Sequence, residues 1–136
     1  MNRKRILVVD DSAVIVKSLT TKLQRAGYDV LPAMDGSEAV SAVRKEKPDL
    51  IILDITFPPD VGHGGGVPWD GFLIIDWLHR IDEASTVPII VISGGDPAKY
   101  QERSFQAGAV AYFRKPVDNE QLLAAIHQTL DGNHEG

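Results

Sequence analysis

Asp10 and Asp11 follow the apolar run Ile6-Leu-Val-Val9, Asp54 follows Leu50-Ile-Ile-Leu53, and Lys115 follows Val110-Ala-Tyr-Phe-Arg114. Each run reads as a short buried strand. In an open parallel sheet the carboxyl ends of the strands converge on one edge, and ligands bind in the crevice there. Charges from opposite ends of the chain would then share one pocket. Three clustered carboxylates repel one another and imply a cation, while the lysine implies an anion that comes and goes. Oxygen-only donors suit a hard cation, and Mg²⁺ is the default beside phosphate. With that charge offset, one carboxylate can attack phosphorus and form an acyl phosphate. Lys115 would pair with phosphate oxygens as a point charge, and Ser93, closing Ile89-Ile-Val-Ile92, can donate a hydroxyl hydrogen bond to the same group. Singly, each residue has a plainer role. Asp11-Ser12 can cap a helix, Ser93 before Gly94-Gly95 can be turn chemistry, and a lysine before proline is usually a solvated charge. The conjunction on one sheet edge is what points to chemistry.

The positioning elements alternate regularly. Residues 5–10, 28–33, 49–54, 87–93 and 110–114 read as strands. Residues 12–26 read as a helix with Ile15, Leu19 and Leu23 at i+4 spacing, and Gly27 stops it. Asp35-Gly-Ser-Glu38 is a capping box opening a helix to about residue 46. Further helices are expected over 70–81, from Asp96-Pro97 to Gly108, and over 118–131. Strict alternation argues for a parallel sheet covered by helices on both faces. Strands one, three and four are solidly apolar and belong in the centre. Strand two carries Asp29 and Pro32, and strand five is short, so both belong at edges. The expected fold is α/β, a doubly wound (βα)5 flavodoxin-like sheet in the order 2-1-3-4-5, with its switch point between strands one and three.

Composition removes several function classes. The length of 136 residues bounds one domain, expected over 1–131 with a polar tail at 132–136. A formal charge of −5 gives no support to direct nucleic-acid binding. Zero cysteines exclude thiolate metal sites and disulfides, and fit a cytoplasmic location. No apolar run is long enough to span a membrane, and the apolar residues after Met1-Asn-Arg-Lys-Arg5 are too few for a signal peptide.

Together these pieces resemble the receiver domain of two-component response regulators, the kind found alone in chemotaxis regulators. The matching segments are Ile6–Ser12, Pro48–Asp54, Phe57-Pro58, Asp70-Gly71, Val87–Ser93, Ala107–Ala109 and Tyr112–Pro116, in family order over nearly the whole chain. The resemblance implies a signalling domain rather than an enzyme, whose only chemistry is its own phosphotransfer and dephosphorylation. Asp54 would accept phosphate from a phosphohistidine of a histidine kinase or phosphotransfer protein. Asp10, Asp11, Asp54 and the backbone carbonyl of Thr56 would hold Mg²⁺, with Mn²⁺ also admissible. Ser93 and Lys115 would grip the phosphoryl group, Tyr112 would switch inward with Ser93, and the Lys115–Pro116 bond would be cis. A downstream protein or output domain would read the face built from residues 97–131. The sequence carries no output domain, so either a stand-alone regulator or a receiver within a longer protein is implied. Two rivals are a flavodoxin-like binder of a nucleotide or flavin, which Asp10 and Asp11 would repel, and a phosphorylation-independent receiver scaffold.

Two departures from the family pattern stand out. Phe57 replaces the usual methionine, and an insertion at about 59–69, with Asp60, His63 and Gly64-Gly-Gly66, begins close to Asp54. Its glycines suit flexibility better than phosphate binding, because the lysine and hydroxyl spacing of a phosphate loop is missing. Thr56 and Gly95, at positions that in the family influence water access, are small, which implies slow or average self-dephosphorylation. The helix over 70–81 is apolar nearly all round. Its core face is expected to be Ile74, Ile75, Leu78 and Ile81, which leaves Leu73 and Trp77 for self-association, a partner or the insertion.

Overall fold

A computed structural model describes residues 4–10, 12–55, 71–81, 86–94, 97–115 and 117–132, with backbone alone at 71–74, 97, 131 and 132. Five strands alternate with five helices: β1 Arg5–Val9, α1 Ala13–Arg25, β2 Asp29–Ala33, α2 Gly36–Glu46, β3 Leu50–Asp54, α3 Gly71–Arg80, β4 Ile89–Ser93, α4 Pro97–Ala107, β5 Ala111–Arg114 and α5 Asn119–Gly132. All neighbouring strands pair in parallel, in the order 2-1-3-4-5. The expected (βα)5 flavodoxin-like topology is the one observed, with boundaries shifted by a residue or two.

Side chains alternate across the sheet and so divide into two cores. Leu7, Val9, Ile51, Leu53, Ile89 and Val91 face α2 and α3, meeting Ala39, Val43, Ile75 and Leu78. Ile6, Val8, Leu50, Ile52, Ile90 and Ile92 face α1 and α5, meeting Val16, Leu19, Leu23, Leu122, Ile126 and Leu130. Strands β1, β3 and β4 are buried on both faces, which explains their unbroken apolar sequence. Pro32 lies exposed on the edge strand β2, where its missing N–H leaves no ladder bond unmade.

The helix ends follow local chemistry. Ser12 caps α1, its Oγ accepting from the N–H of Ile15 at 3.4 Å. At α2, Asp35 Oδ1 accepts from the N–H of Glu38 at 2.8 Å, while Glu38 Oε1 reaches past the cap to the N–H of Met34. The box therefore closes one residue further back than the simple motif. Gly27 and Gly108 follow α1 and α4 with φ of 100° and 116°, conformations that glycine tolerates. Lys47 ends α2 in the same left-handed region at φ 49°, a role with no glycine to mark it in the sequence. At Gly108 a side chain would meet the His79 imidazole, so α3 and the α4–β5 turn are in close contact there. On α3 the expected core residues Ile75 and Leu78 are fully buried, Ile81 is partly buried, and Trp77 is 47% exposed. The insertion at 59–69 and the side chains of Leu73 and Ile74 lie outside the described residues.

Candidate functional site

The strand register brings the charged residues together. Val9 pairs with Leu53 across β1 and β3, so Asp10 and Asp54 emerge side by side. Asp54 pairs with Ile92 of β4, and Ser93 follows. The backbone N–H of Lys115 donates to the carbonyl of Ser93 at 2.8 Å, which ties the end of β5 to the end of β4. Asp10, Asp54 and Ser93 are all buried, at 0%, 2% and 0% exposure.

Lys115 bridges the two acids. Its Nζ lies 2.5 Å from Asp54 Oδ2 and 3.4 Å from Asp10 Oδ2. The other Asp10 oxygen, Oδ1, accepts from the N–H of Ser12 at 2.9 Å. Ser12 thus plays the plain capping role and also orients Asp10, an interaction the sequence did not reveal. Burial pushes the Asp10 carboxyl up to about 6; the Ser12 N–H and Lys115 act against this, and the charge of Asp54 adds to it. For Lys115, burial alone would lower the ammonium. The hydrogen bond and charge of Asp54, joined by Asp10, outweigh burial and hold it above its ordinary range.

This donor set fits a hard divalent cation. Among the described residues, two buried carboxylates face a single ammonium, a formal excess of one negative charge in a site that disfavours unpaired charge. The two described carboxylates offer oxygen ligands, as Mg²⁺ prefers. Among the described residues no three His, Cys, Asp or Glu side chains cluster, so Asp10 and Asp54 are the described share of such a site. Asp11, the Thr56 carbonyl, Pro116 with its expected cis bond, Asp60, His63 and Gly95 lie outside the described residues.

Tyr112 sits on the α2–α3 side of β5, the face on which strand alternation also places Ser93, and it packs against the core there. Its hydroxyl is buried without a hydrogen-bond partner among the described residues. Beside Lys115, on the opposite face, a groove of about 550 Å³ runs along α1 past Ile15, Ser18, Leu19 and Lys22 to Val117. Val14, at the site end of α1, is 77% exposed.

A 2-1-3-4-5 parallel sheet with buried acids and a bridging lysine at its carboxyl edge is the build of a phosphorylation-type signalling domain. The chain belongs to the response regulator receiver domain family, whose model matches residues 6–127. It is 36% identical over 128 residues to protein PilH of Pseudomonas aeruginosa, covering 94% of this chain and 98% of PilH. It is 34% identical over 127 residues to the alkaline phosphatase synthesis transcriptional regulatory protein PhoP of Bacillus subtilis, covering 93% of this chain and 48% of PhoP. The chain therefore spans nearly all of the first relative and about half of the second. Among solved structures, it matches a CheY-like response regulator receiver domain protein of Methanospirillum hungatei with TM-score 0.83, 29% identity, and coverage of 99% of this chain and 100% of that one. It matches the chemotaxis response regulator CheY4 of Vibrio cholerae with TM-score 0.79, 30% identity, and coverage of 95% and 100%. The chain is a two-component response regulator receiver, and the flavodoxin-like nucleotide-binding reading is not favoured. No helix among the described residues is long and apolar enough to cross a membrane.

Proposed function

We propose that Asp54 accepts a phosphoryl group from a phosphohistidine of a histidine kinase or phosphotransfer protein. The observation carrying this reading is the Lys115 ammonium bridging buried Asp54 and Asp10 at the sheet edge. A carboxylate oxygen of Asp54 attacks phosphorus, the P–N bond of the donor breaks, and the imidazole departs with its electron pair. Asp10, Asp11, Asp54 and the Thr56 carbonyl would hold Mg²⁺ or Mn²⁺, which when bound supplies positive charge to offset the acids and the phosphoryl oxygens. Lys115 exchanges the Asp54 carboxylate for a phosphoryl oxygen, and Ser93 donates its hydroxyl to another. The groove along α1 and exposed Val14 offer the donor protein an apolar approach that ends at Lys115. Tyr112 then adjusts with Ser93 and alters the face formed by residues 97–131, which a downstream protein or output domain reads without direct nucleic-acid contact by this domain. The working unit is one receiver domain over 1–131, acting in the cytoplasm. Incubation with a small phosphodonor and Mg²⁺ tests this. A mass increase of one phosphoryl group is expected for wild type and not for Asp54→Ala. No Asp54-dependent increase would leave a phosphorylation-independent scaffold.

A further inference from the structure

We propose that the groove between α2 and α3 at Trp77 docks an acidic segment of a partner protein that carries an apolar anchor residue. This goes beyond the phosphoacceptor reading and does not depend on it. The groove encloses about 490 Å³ between Trp77 on one side and Ser37, Val40 and Ser41 of α2 on the other, with Arg44 and Lys45 at its end. Trp77 stands 47% exposed on a helix whose flanking Ile75 and Leu78 are fully buried. The sheet core therefore does not account for the indole.

Charge specifies the occupant. Among the described residues, neither Arg44 nor Lys45 forms an ion pair and no carboxylate lines the groove. The four acids that adjoin groove residues in sequence are engaged elsewhere: Glu46 lies 3.7 Å from Arg5, Asp76 is 3.1 Å from Arg80, and Asp35 and Glu38 accept backbone N–H groups at the start of α2. A wall of two cations on a chain of formal charge −5 opposes the field of the whole molecule. Bases in the last turn of α2 suit the helix dipole, but the dipole does not explain a wall that faces an exposed indole with no carboxylate among the described residues. Tryptophan and arginine are the side chains that most often anchor protein interfaces, and opposite charge supplies register and association rate. The small side chains of Ser37 and Ser41 let an incoming backbone lie close to α2.

The test uses the full chain as bait for a random twelve-residue displayed peptide library, counter-selected on Arg44→Glu/Lys45→Glu. Enriched peptides should combine several Asp or Glu residues with an aromatic or aliphatic one. A labelled synthetic peptide of that type should move the Trp77 indole N–H signal in a ¹⁵N spectrum and bind about tenfold more weakly to the double variant and to Trp77→Ala. Its affinity should fall with added salt, and the ¹⁵N spectrum of the double variant should stay unchanged away from the groove, which verifies its fold. The proposal is overturned if no peptide discriminates wild type from the double variant, or if Trp77→Ala binds equally well. It is also overturned if a single-stranded oligonucleotide binds in preference to the acidic peptide. Self-association abolished by the double variant would assign the groove to a second copy instead. A Trp77 indole shift on deleting residues 59–69, with no peptide binding, would assign it to this chain's own insertion.

Discussion

Replacing Asp10 with asparagine should stabilise the metal-free chain, and the gain should follow pH in a defined way. Asp10 is fully buried, and its carboxyl is raised to about 6 against an ordinary 3.8, chiefly by burial. The folded state then binds more protons than the unfolded state between those values, so stability falls as pH rises through the window. Above it, the ionised group destabilises the fold by about 3 kcal/mol, from a difference of roughly two pH units at 1.36 kcal/mol each. Near pH 5 about half of that penalty remains, and near pH 4 most of it is gone. Asparagine keeps an acceptor for the Ser12 N–H, now at 2.9 Å, but turns an amide toward the Lys115 ammonium, which offsets about 1 kcal/mol. Urea unfolding of both proteins in a chelator at pH 4, 5, 6 and 8 reads the titration of Asp10 together with its coupled neighbours Asp54 and Lys115, since titrations remote from the site cancel in the difference. Asp10→Asn should be more stable by about 2 kcal/mol at pH 8, with the advantage disappearing toward pH 4. Adding Mg²⁺ should stabilise wild type and not the variant, narrowing the gap. An advantage that does not change with pH, or a less stable variant at pH 8, would refute burial as the dominant influence on Asp10.

Three further outcomes are expected. Lys115→Met leaves Asp10 and Asp54 without their ammonium, and in chelator it should cost about 2–3 kcal/mol by urea unfolding, at the low end for a buried pair because the lysine is 24% exposed; saturating Mg²⁺ should restore most of the loss. Tyr112→Phe removes a buried hydroxyl with no partner among the described residues and should raise unfolding stability by about 1 kcal/mol, so a loss of similar size would reveal a partner that the hydroxyl engages in solution. Gly108→Ala combines a φ of 116° with a clash against His79 and should cost about 2–3 kcal/mol by thermal melting; adding His79→Ala should recover the steric share and leave the backbone share, a coupling that a double-mutant cycle measures.

Much of this arrangement is legible in the sequence because it is written in local chemistry. Unbroken short runs such as Leu50–Leu53, alternating with amphipathic segments, read as strands covered on both faces, and the acid that ends such a run then falls on the sheet edge. Gly27, Gly108 and Asp35 mark helix ends through conformational freedom or a capping oxygen. Three features were not legible, and each depends on tertiary placement. Lys47 takes a left-handed backbone without glycine, directly before Pro48. Arg5 ties the start of β1 to the region before β3, its N–H donating to Asp49 Oδ2 at 2.8 Å and its guanidinium to the Glu46 carbonyl at 2.8 Å. The approach of His79 to Gly108 joins positions that no local periodicity relates. At the site, spacing predicted that Asp10, Asp54 and Lys115 meet, while Asp11 lies outside the described residues. It did not predict that Lys115 would serve as counter-ion to the acids as well as a contact for phosphate.

That second duty of Lys115 bears on signal fidelity. On the proposed mechanism, the Asp54 carboxylate whose Oδ2 lies 2.5 Å from the ammonium is also the nucleophile, so the chain at rest carries its own restraint. A stray electrophile meets a carboxylate whose charge is already offset, and the ammonium leaves one anion as it gains another. Masking and gripping by a single side chain make the threshold for modification and the retention of the product two settings of one residue. A pathway built on this chain could not lower its background without also changing how long its message lasts.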